Sequence, residues 1–403
     1  MSLQFVFGPS GGGKSYYLYE KIIEEAKKDR TKDFLLIVPE QFTMQTQKEL
    51  VERSKNHAIM NIDVLSFERL AFRVFDELGM YQIRILEETG KNLILRRLTE
   101  EYGDSMSVLG SNLKKMGYVS EIKSLISEFM QYQITPKDIE AWCADEDNAW
   151  SFRLKMKDIL VIYRKFLEYL EGSYITSEEV LEECAKTAGR SVMLKDCNLI
   201  FDGFTGFTPV QVNLLKTLFP MTDRVWAAVT LDKRVDPFCV TGIQELFHMS
   251  QKMVRTLLEL ADEAKCEVLE PIWVEDGRQY RYGNAKALLH LEENLFRSSL
   301  KAYPKEQEEI QIQSCQNRKE ELEFAAATIS RMVREEDYRY RDFAIVSGAA
   351  ADYANYVKEI FEAYGIPYFI DEKTTILFHP FIEFLRASLE MVEEDFSYES
   401  LLS

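Results

Sequence analysis

Eight consecutive residues near the N-terminus have the types and spacing needed to hold the phosphates of a nucleotide. Residues 8–15 read GPSGGGKS and match the pattern GxxxxGK[ST] at every defined position. In such a loop, glycine N–H groups surround the β-phosphate, the lysine reaches the β- and γ-phosphate oxygens, and the serine hydroxyl ligates Mg²⁺. The residues expected to bind ATP with Mg²⁺ are Gly8, Ser10, Gly11, Gly12, Gly13, Lys14 and Ser15.

The flanking sequence supplies the elements that such a loop needs. An apolar run at residues 3–7 predicts a buried strand, and residues 14–28 have the spacing of an amphipathic helix. A phosphate at the N-terminus of that helix would also meet the positive end of the helix dipole. A glycine-rich turn with a purely structural role is the alternative.

A second motif, LIFDGFTGFTPVQ at residues 199–211, has an apolar strand that ends in Asp202. An aspartate in this position holds Mg²⁺ in P-loop proteins. Because such strands are common, the residues that follow decide the interpretation. The stretch resembles motif II of superfamily 1 helicases of the UvrD/RecB type, with Pro209 and Gln211 in register. The resemblance implies that Asp202 is the Mg²⁺-coordinating aspartate, and it places Gly203 where those helicases have a general-base glutamate.

Three departures from the helicase pattern affect hydrolysis. A positioned general base contributes roughly 10²–10⁴ in rate, and Gly203 has no carboxylate. The strand begins at about Leu3, which leaves no room for the upstream glutamine that reads adenine in these helicases. The strand that resembles motif IV should end in an arginine, yet residues 346–348 read VSG. We therefore expect no catalytic residue here: the nucleotide site is kept and its hydrolysis chemistry is lost.

The loop after the second predicted strand, IVPEQFTMQTQKE at residues 37–49, lies where these helicases carry motif Ia. That likeness implies contacts with single-stranded DNA. The next segment, residues 66–75, adds two aromatic rings and an arginine, and stacking of a base on an aromatic ring contributes about 1–3 kcal/mol. The alternative is that these rings are core residues at helical spacing. The predicted DNA-binding residues are Gln41, Thr43, Phe67, Arg69, Phe72, Phe204 and Phe207.

The remaining sequence predicts how these motifs are positioned. Between about residues 68 and 190 only helical patterns occur, including one at 107–131. Apolar runs that predict strands of a parallel sheet lie at residues 3–7, 33–40, 60–67, 198–204 and 224–231. Apolar runs that predict strands of a second α/β unit lie at residues 309–315, 342–348 and 367–371.

The expected fold is therefore α/β, of the P-loop NTPase type: RecA-like, superfamily 1 helicase-like parallel sheet domains with a large all-helical insertion. The final helical pattern shows no stop signal before Ser403, so the second unit is expected to be truncated. The expected domains are residues 1–90 plus 191–270 (first RecA-like domain), 91–190 (helical insertion), 271–305 (linker and helix) and 306–403 (start of a second RecA-like domain).

Composition limits the classes of function. The formal net charge is −18, whereas a protein that coats DNA should be basic, because phosphate neutralisation supplies most non-specific affinity. A DNA site here must be a local groove or depend on a partner. No apolar run approaches the roughly 18 residues of a membrane span, and no signal peptide precedes residue 8, so we expect a cytoplasmic protein. The six cysteines and four histidines are scattered and show no metal-ligand spacing.

Taken together, GPSGGGKS, VPEQFTMQ and FDGFTGFTPVQ resemble the AddB (RexB) family, the helicase-like subunits of bacterial AddAB helicase–nucleases, over essentially the whole chain. The resemblance implies an inactivated helicase region that scans single-stranded DNA for the recombination hotspot during double-strand break repair. It also implies a heterodimer with an AddA-type subunit at DNA ends. An iron–sulfur cluster is expected only in a C-terminal nuclease domain outside this sequence. A self-sufficient P-loop ATPase or kinase, and a scaffold with a relic P-loop, are the alternatives.

Overall fold

The computed structural model of the chain divides into two compact units, residues 1–309 and residues 310–403. The residues that the structure describes are 1–82, 84–103, 106–110, 116–171, 174–274, 281–297, 301–370, 376 and 379–398.

A parallel sheet organises the first unit. Within the described residues its order is β3-β2-β6-β7-β1-β8, and β9 also pairs with β1. All these pairs are parallel, which confirms the α/β class and the five strands predicted for this sheet. The strands, numbered in chain order, are β1 Ser2–Gly8, β2 Phe34–Ile37, β3 Ile62–Leu65, β4 Ile85–Leu86, β5 Ile175–Thr176, β6 Asn198–Phe201, β7 Arg224–Thr230, β8 Glu267–Val268 and β9 Ile272–Trp273.

Helices cover both faces of this sheet and form a separate group between β4 and β5. The described helices of the first unit are α1 Lys14–Lys28, α2 Thr43–Arg53, α3 Phe67–Glu77, α4 Glu88–Tyr102, α5 Met116–Gln131, α6 Pro136–Ala144, α7 Trp150–Leu170, α8 Val180–Thr187, α9 Pro209–Leu218, α10 His248–Glu263 and α11 Lys286–Asn294. None of the described helices is long and apolar enough to cross a membrane.

The strands are apolar on both faces because each face is covered. Side chains alternate between the faces of a strand, and in β1 Phe5 and Phe7 join the core under α3, α8, α9 and α10, whereas Val6 joins the core under α1 and α2. Burial on two sides explains why these strands read as continuous apolar runs rather than as alternating patterns. The carboxyl ends of β1, β2, β3, β6 and β7 meet at one edge of the sheet, where both motifs lie.

The helices α4 to α7 have a core of their own, built from side chains such as Ile94, Ile126 and Phe166. We expected no strand between residues 68 and 190, but β4 and β5 form a two-residue parallel pair. Segments this short carry no periodic pattern. Residues 271–305, expected to be a linker with a helix, also contain a strand, β9, which pairs with β1.

The predicted helix at 107–131 begins later than expected, at Met116. The buried carboxylate of Asp158 accepts hydrogen bonds from the backbone N–H groups of Ser107, Val108 and Leu109 at 2.8–3.1 Å. These N–H groups are thereby satisfied outside a helix, which a carboxylate can do where several donors converge. Residues 111–115, also within the predicted helix, lie outside the described residues.

The second unit contains α12 Arg318–Glu335, α13 Ala350–Tyr364 and α14 Pro380–Glu393. Leu322 and Ala326 of α12 pack against Ile360 and Phe361 of α13. The strands predicted at 309–315, 342–348 and 367–371 are wrong for the part of each that is described: none is a strand, and Asp371 lies outside the described residues. The apolar side chains of Ile312, Val346 and Phe369 are 95%, 93% and 88% exposed. An apolar pattern favours extended backbone, but a strand also needs a hydrogen-bonded neighbour.

Candidate nucleotide-binding site and adjoining surface

The glycine-rich loop connects the end of β1 at Gly8 to the start of α1 at Lys14. Gly11 and Gly13 have φ angles of +72° and +91°, which glycine adopts without strain and other residues rarely do. The loop turns back on itself, because the Gly12 N–H donates to the Pro9 carbonyl at 3.0 Å. The sequence therefore forms the strand–loop–helix arrangement that the motif requires.

The N-terminus of α1 offers hydrogen-bond donors to an anion. Gly13 occupies the N-cap position and has no side chain to accept from them, and the first turn of the helix contains no acidic residue. The first N–H groups of a helix lack partners within the helix, and the dipole makes this end positive. Ser15 lies in the same turn, so its hydroxyl is placed beside the donors.

Lys14 lies against the loop that precedes it. Its Nζ donates to the Pro9 carbonyl at 2.9 Å. Burial lowers the pKa of Lys14 to about 8, while the nearby carboxylates of Asp202 and Glu292 raise it and the Arg281 guanidinium lowers it. An ammonium held in a partly desolvated loop is an effective ligand for phosphate oxygens, because its charge is less screened by water there.

Asp202 follows β6 at the same edge of the sheet. β7 lies between β6 and β1, so the two strand ends are separated by two strand spacings, or about 10 Å. The Asp202 side chain is only 7% exposed, and its backbone N–H donates to the Ile37 carbonyl at 3.1 Å. Its influence on the pKa of Lys14 shows that the two charges face one region. The structure thus brings the first and second motifs together.

Tyr19 on α1 makes the direct contact between these motifs, and the sequence reasoning missed it. Its hydroxyl donates to Asp202 Oδ2 at 2.8 Å and lies 3.5 Å from Thr46 Oγ1. Burial and the Asp202 charge raise the pKa of Tyr19, so the phenol is neutral and donates. A tyrosine on the buried face of the helix after the loop was the available signal, because a buried hydroxyl needs a partner.

A distant part of the chain packs on the glycine-rich loop. β9 extends the sheet beside β1, and the Val274 N–H donates to the Phe7 carbonyl at 2.8 Å. A Cβ atom on Gly8 would lie 2.2 Å from the Val274 oxygen, and one on Gly11 would lie 2.4 Å from Arg281 Cδ. These glycines are therefore needed for close approach of this segment as well as for the turn. No local signal in the sequence indicates that contact.

The predicted DNA-contacting loop after β2 is only partly exposed. Gln41 lies in a short 3₁₀ turn, Glu40–Phe42, and its side chain is exposed. Thr43 is buried, and its hydroxyl donates to the Glu40 carbonyl at 3.0 Å. Gln41 is therefore accessible to a ligand, whereas the Thr43 side chain is used within the protein.

Arg69 and Phe72 lie on the exposed side of α3. The Ser66 hydroxyl accepts the Arg69 N–H at the helix N-terminus, and the Arg69 guanidinium donates to Glu40 Oε1 at 2.9 Å. Both side chains of that pair are 54% exposed. Phe72 is exposed and meets Phe75 edge to face.

The other predicted DNA-binding aromatics form one cluster. Phe67, Phe201, Phe204 and Phe207 lie with their ring centroids 5.4–6.3 Å apart. Phe67 belongs to the buried core, as the core alternative predicts, while Phe204 and Phe207 are partly buried against it. Such ring pairs add about 0.5–1.5 kcal/mol beyond area burial. The cluster anchors the loop that carries Asp202, Gly203 and the residues up to α9.

A cleft of about 480 Å³ lies beside this cluster. The loops after β2, β3 and β6 form one wall, and residues from the α4–α8 region, including Gln131 and Ser177, form the other. The carboxylates that line it are Glu40, Glu68, Glu88 and Glu178. An acidic lining repels a phosphate backbone, so a nucleic acid could enter this cleft only with its bases or along its basic rim at Arg69.

The residues present suit a Mg²⁺ ion that arrives with a nucleotide. Among the described residues, no group of three His, Cys, Asp or Glu side chains is arranged to hold a metal ion by itself. Mg²⁺ in nucleotide sites is held through one or two carboxylates, substrate phosphates and several waters. Asp202 and the Ser15 hydroxyl provide donors of this kind at the same edge of the sheet.

Fold and site together define the class of this chain. It is an α/β protein with a parallel sheet, and its candidate site lies at the carboxyl edge, where such sheets bind ligands. The family profile described as "ADDB, N-terminal" matches residues 5–292. The chain therefore belongs to the AddB family.

Relatives along the full chain share one functional description, the B subunit of an ATP-dependent helicase/deoxyribonuclease. The chain is 42% identical over 407 residues to the protein of this description from Lachnoclostridium phytofermentans, and 32% identical over 411 residues to the one from Clostridium tetani. A third, from Alkaliphilus metalliredigens, is 31% identical over 406 residues. Each comparison covers 100% of this chain and 35% of the relative. The chain thus spans about a third of the length of these relatives.

Proposed function

We propose that this chain is the inactivated-helicase region of an AddB-type subunit of an ATP-dependent helicase–exonuclease, and that it binds ATP with Mg²⁺ and single-stranded DNA. One observation carries the nucleotide part: α1, which begins at Lys14, also brings Tyr19 to 2.8 Å from Asp202. The glycine-rich loop and the aspartate therefore form one site although they are far apart in sequence.

In this site each group has a distinct role. The N–H groups at the start of α1 and the Lys14 ammonium bind phosphate oxygens, and the Ser15 hydroxyl and Asp202 hold Mg²⁺, directly or through water. When bound, Mg²⁺ neutralises charge between the phosphates. Gly203 provides no base for an attacking water, so the bound nucleotide turns over slowly and serves to stabilise the protein or to signal.

The wider proposal follows the family. We propose that the sheet is a RecA-like P-loop domain and that α4 to α7 are an insertion of the helicase type. The relatives are described as one lettered component of an enzyme, which supports a second component; we propose that it is of the AddA type and supplies the active motor. Hotspot scanning in double-strand break repair, an iron–sulfur nuclease domain beyond this sequence and a cytoplasmic location complete the proposal.

The proposed DNA surface is the rim formed by Gln41, Arg69 and Phe72. These three side chains are exposed on the loop after β2 and on α3. The Arg69–Glu40 ion pair is exposed, and such pairs contribute about 0–1 kcal/mol, so a DNA phosphate can replace Glu40 at little cost. The acidic total charge agrees with a DNA path that is local rather than spread over the surface.

Nucleotide binding to the purified chain tests the first part. Titration with ATP and Mg²⁺ should saturate one site, and Lys14→Ala should weaken binding at least about tenfold, as expected when a charged ligand to phosphate is removed. Lys21→Ala is the matched control, because Lys21 lies on the same helix and pairs with Glu25 in an exposed ion pair. If ATP–Mg²⁺ produces neither binding nor a thermal shift, the loop is a structural relic.

Turnover separates the proposal from its rival. A self-sufficient ATPase or kinase predicts rapid hydrolysis or transfer that Asp202→Ala abolishes, whereas we expect only slow turnover. Single-stranded DNA binding, measured with and without the AddA-type partner, tests the rim. If Gln41→Ala, Arg69→Ala and Phe72→Ala all leave binding unchanged, the DNA surface lies elsewhere.

A further inference from the structure

Tyr19 is the feature of the site that its motifs do not explain. It lies one helical turn beyond Ser15, and its ring is buried in the core under α1 and α2. The hydroxyl leaves that apolar core only to reach Asp202 at 2.8 Å, with Thr46 of α2 at 3.5 Å. Both Asp202 and Thr46 are themselves buried, so the contact is shielded from water.

The direction of this hydrogen bond follows from chemistry. An ionised carboxylate only accepts hydrogen bonds, so the phenol must donate its single proton to Asp202. The phenol oxygen can then accept only from Thr46, whose hydroxyl is at the far limit of hydrogen-bond distance. A neutral donor to a buried carboxylate forms a charge-assisted bond, which is stronger than one between neutral groups.

We propose that Tyr19 is a positioning residue for Mg²⁺: its hydroxyl holds the Asp202 carboxylate in the orientation that receives the metal or its bound water. This inference rests on the proposed nucleotide function. Without the donor, the buried carboxylate is free to rotate toward Lys14, the nearest cation identified beside it, and a Lys14–Asp202 ion pair would withdraw both groups from the ligand. Tyr19 thereby keeps the phosphate ligand and the metal ligand apart.

A merely structural Tyr19 makes a different prediction. If the hydroxyl only satisfied itself in the core, its removal would lower stability and weaken nucleotide binding equally with and without the metal. A positioning role alters the metal-dependent part alone. The quantity that separates the two is the Mg²⁺ factor, the ratio of the ATP Kd measured in EDTA to the Kd measured in saturating Mg²⁺.

Tyr19→Phe removes the hydroxyl and keeps the ring that packs in the core. We expect the Mg²⁺ factor to fall about tenfold, the usual cost of losing a group that orients a metal ligand, while the Kd in EDTA changes less than about twofold. Tyr17→Phe is the matched control: it is the same change on the same helix, at a side chain that packs beside the core without reaching Asp202. Its Mg²⁺ factor should equal that of the wild type.

A second background shows whether Tyr19 acts through Asp202. In Asp202→Asn the Mg²⁺ factor should already be low, and adding Tyr19→Phe should lower it no further. Should Tyr19→Phe not fold, Thr46→Val acts on the same hydroxyl from its other side and must lower the factor by a smaller amount. An unchanged factor in the folded variants overturns the inference, as does an equal loss with and without Mg²⁺.

The wild-type titration distinguishes failure of this inference from failure of the function beneath it. If wild-type protein binds no nucleotide under either condition, the proposed nucleotide function is wrong and the inference falls with it. If it binds equally in EDTA and in Mg²⁺, only the metal role of Asp202 and Tyr19 is wrong. If it shows a Mg²⁺ factor that Tyr19→Phe leaves intact, nucleotide and metal binding stand and Tyr19 has no part in them.

Discussion

Gly203 lies against Pro39, such that a Cβ atom on Gly203 would be 3.3 Å from Pro39 Cδ. The two residues follow the neighbouring strands β6 and β2. Gly203 also has a φ of +81°, which a residue with a side chain adopts only at a cost of about 1–2 kcal/mol. The position where the helicase resemblance expects a general base is thus shaped for glycine, both by backbone conformation and by space.

Gly203→Glu should therefore not create an ATPase. We expect the free energy of unfolding to fall by about 1–2 kcal/mol and hydrolysis to remain at the wild-type level, because the carboxylate enters on a strained backbone. Urea unfolding and a steady-state ATPase assay measure the two effects. Gly189→Glu is the control, since a Cβ on Gly189 meets nothing within 4 Å. A large gain in hydrolysis by Gly203→Glu would show that only the base is missing.

The Arg69–Glu40 pair predicts opposite effects of its two partners on DNA binding. Arg69→Ala should weaken single-stranded DNA binding and reduce its salt dependence, because one phosphate contact is lost. Glu40→Gln should strengthen binding by about twofold to fivefold, since the competing exposed ion pair is worth up to about 1 kcal/mol. Binding titrations at two salt concentrations measure both.

Arg73→Ala is the matched control for this pair. Arg73 lies on the same helix as Arg69 and makes a similar exposed ion pair, with Asp63 at 3.4 Å. Its removal should affect DNA binding less than Arg69→Ala does. Equal losses in the two variants would mean that the helix contributes only general positive charge, and the rim assigned to Arg69 would be wrong.

Arg281 predicts a contribution to nucleotide affinity from outside the motif. It packs on Gly11, and its charge acts on Lys14, so it adds positive potential where the phosphates are expected. Arg281→Ala should weaken ATP binding about fivefold, equivalent to ~1 kcal/mol for a second cation in a partly exposed site. Arg255→Ala, in an exposed pair with Glu259, should have no effect. Tighter binding by Arg281→Ala would instead indicate that this segment competes with the nucleotide.

Lys91 predicts a large stability effect in the helical part of the first unit. Its side chain is 2% exposed and its Nζ binds Glu178 at 2.7 Å, Glu88 at 2.9 Å and the Ser177 hydroxyl at 3.0 Å. Lys91→Met leaves the buried Glu178 carboxylate without this cation, which should cost about 3–5 kcal/mol. Adding Glu178→Leu should restore much of that loss. Lys186→Met, in an exposed pair with Glu182, should change the free energy of unfolding by less than about 1 kcal/mol.

Asp232 predicts a pH dependence. Hydrogen bonds from Arg234 lower the pKa of this carboxyl to about 2, with Arg297 contributing, from an ordinary value of 3.8. A lowered pKa in the folded state means stabilisation that is complete above 3.8 and is lost as the pH falls toward 2. Asp232→Asn should cost about 1.5–3 kcal/mol at pH 6 and clearly less at pH 3, measured by urea unfolding. The exposed Asp236→Asn is the control, and a cost that does not depend on pH would contradict the assignment.

Local patterns were sufficient where local physics decides structure. The apolar runs of β1 and β6, the glycines of residues 8–15 and the periodicity of α1 predicted the parallel α/β sheet and the loop at its edge. They succeeded because burial on both faces of a parallel strand leaves an unbroken apolar run, and because only glycine tolerates the backbone at Gly11 and Gly13. The same patterns failed for residues 342–348, since a run of β-forming residues does not reveal whether a partner strand is present.

What the sequence alone determined about this chain was the family resemblance, the glycine-rich loop with Lys14 and Ser15, and the aspartate at the end of β6. Only the tertiary structure decided which other residues join them. Tyr19 reaches Asp202, Arg281 lies on Gly11, and Phe67 belongs to the core, because packing brings together residues that are far apart in the chain. It also showed that Gly203 is held at a positive φ against Pro39, so the missing base is a consequence of the backbone as well as of one substitution.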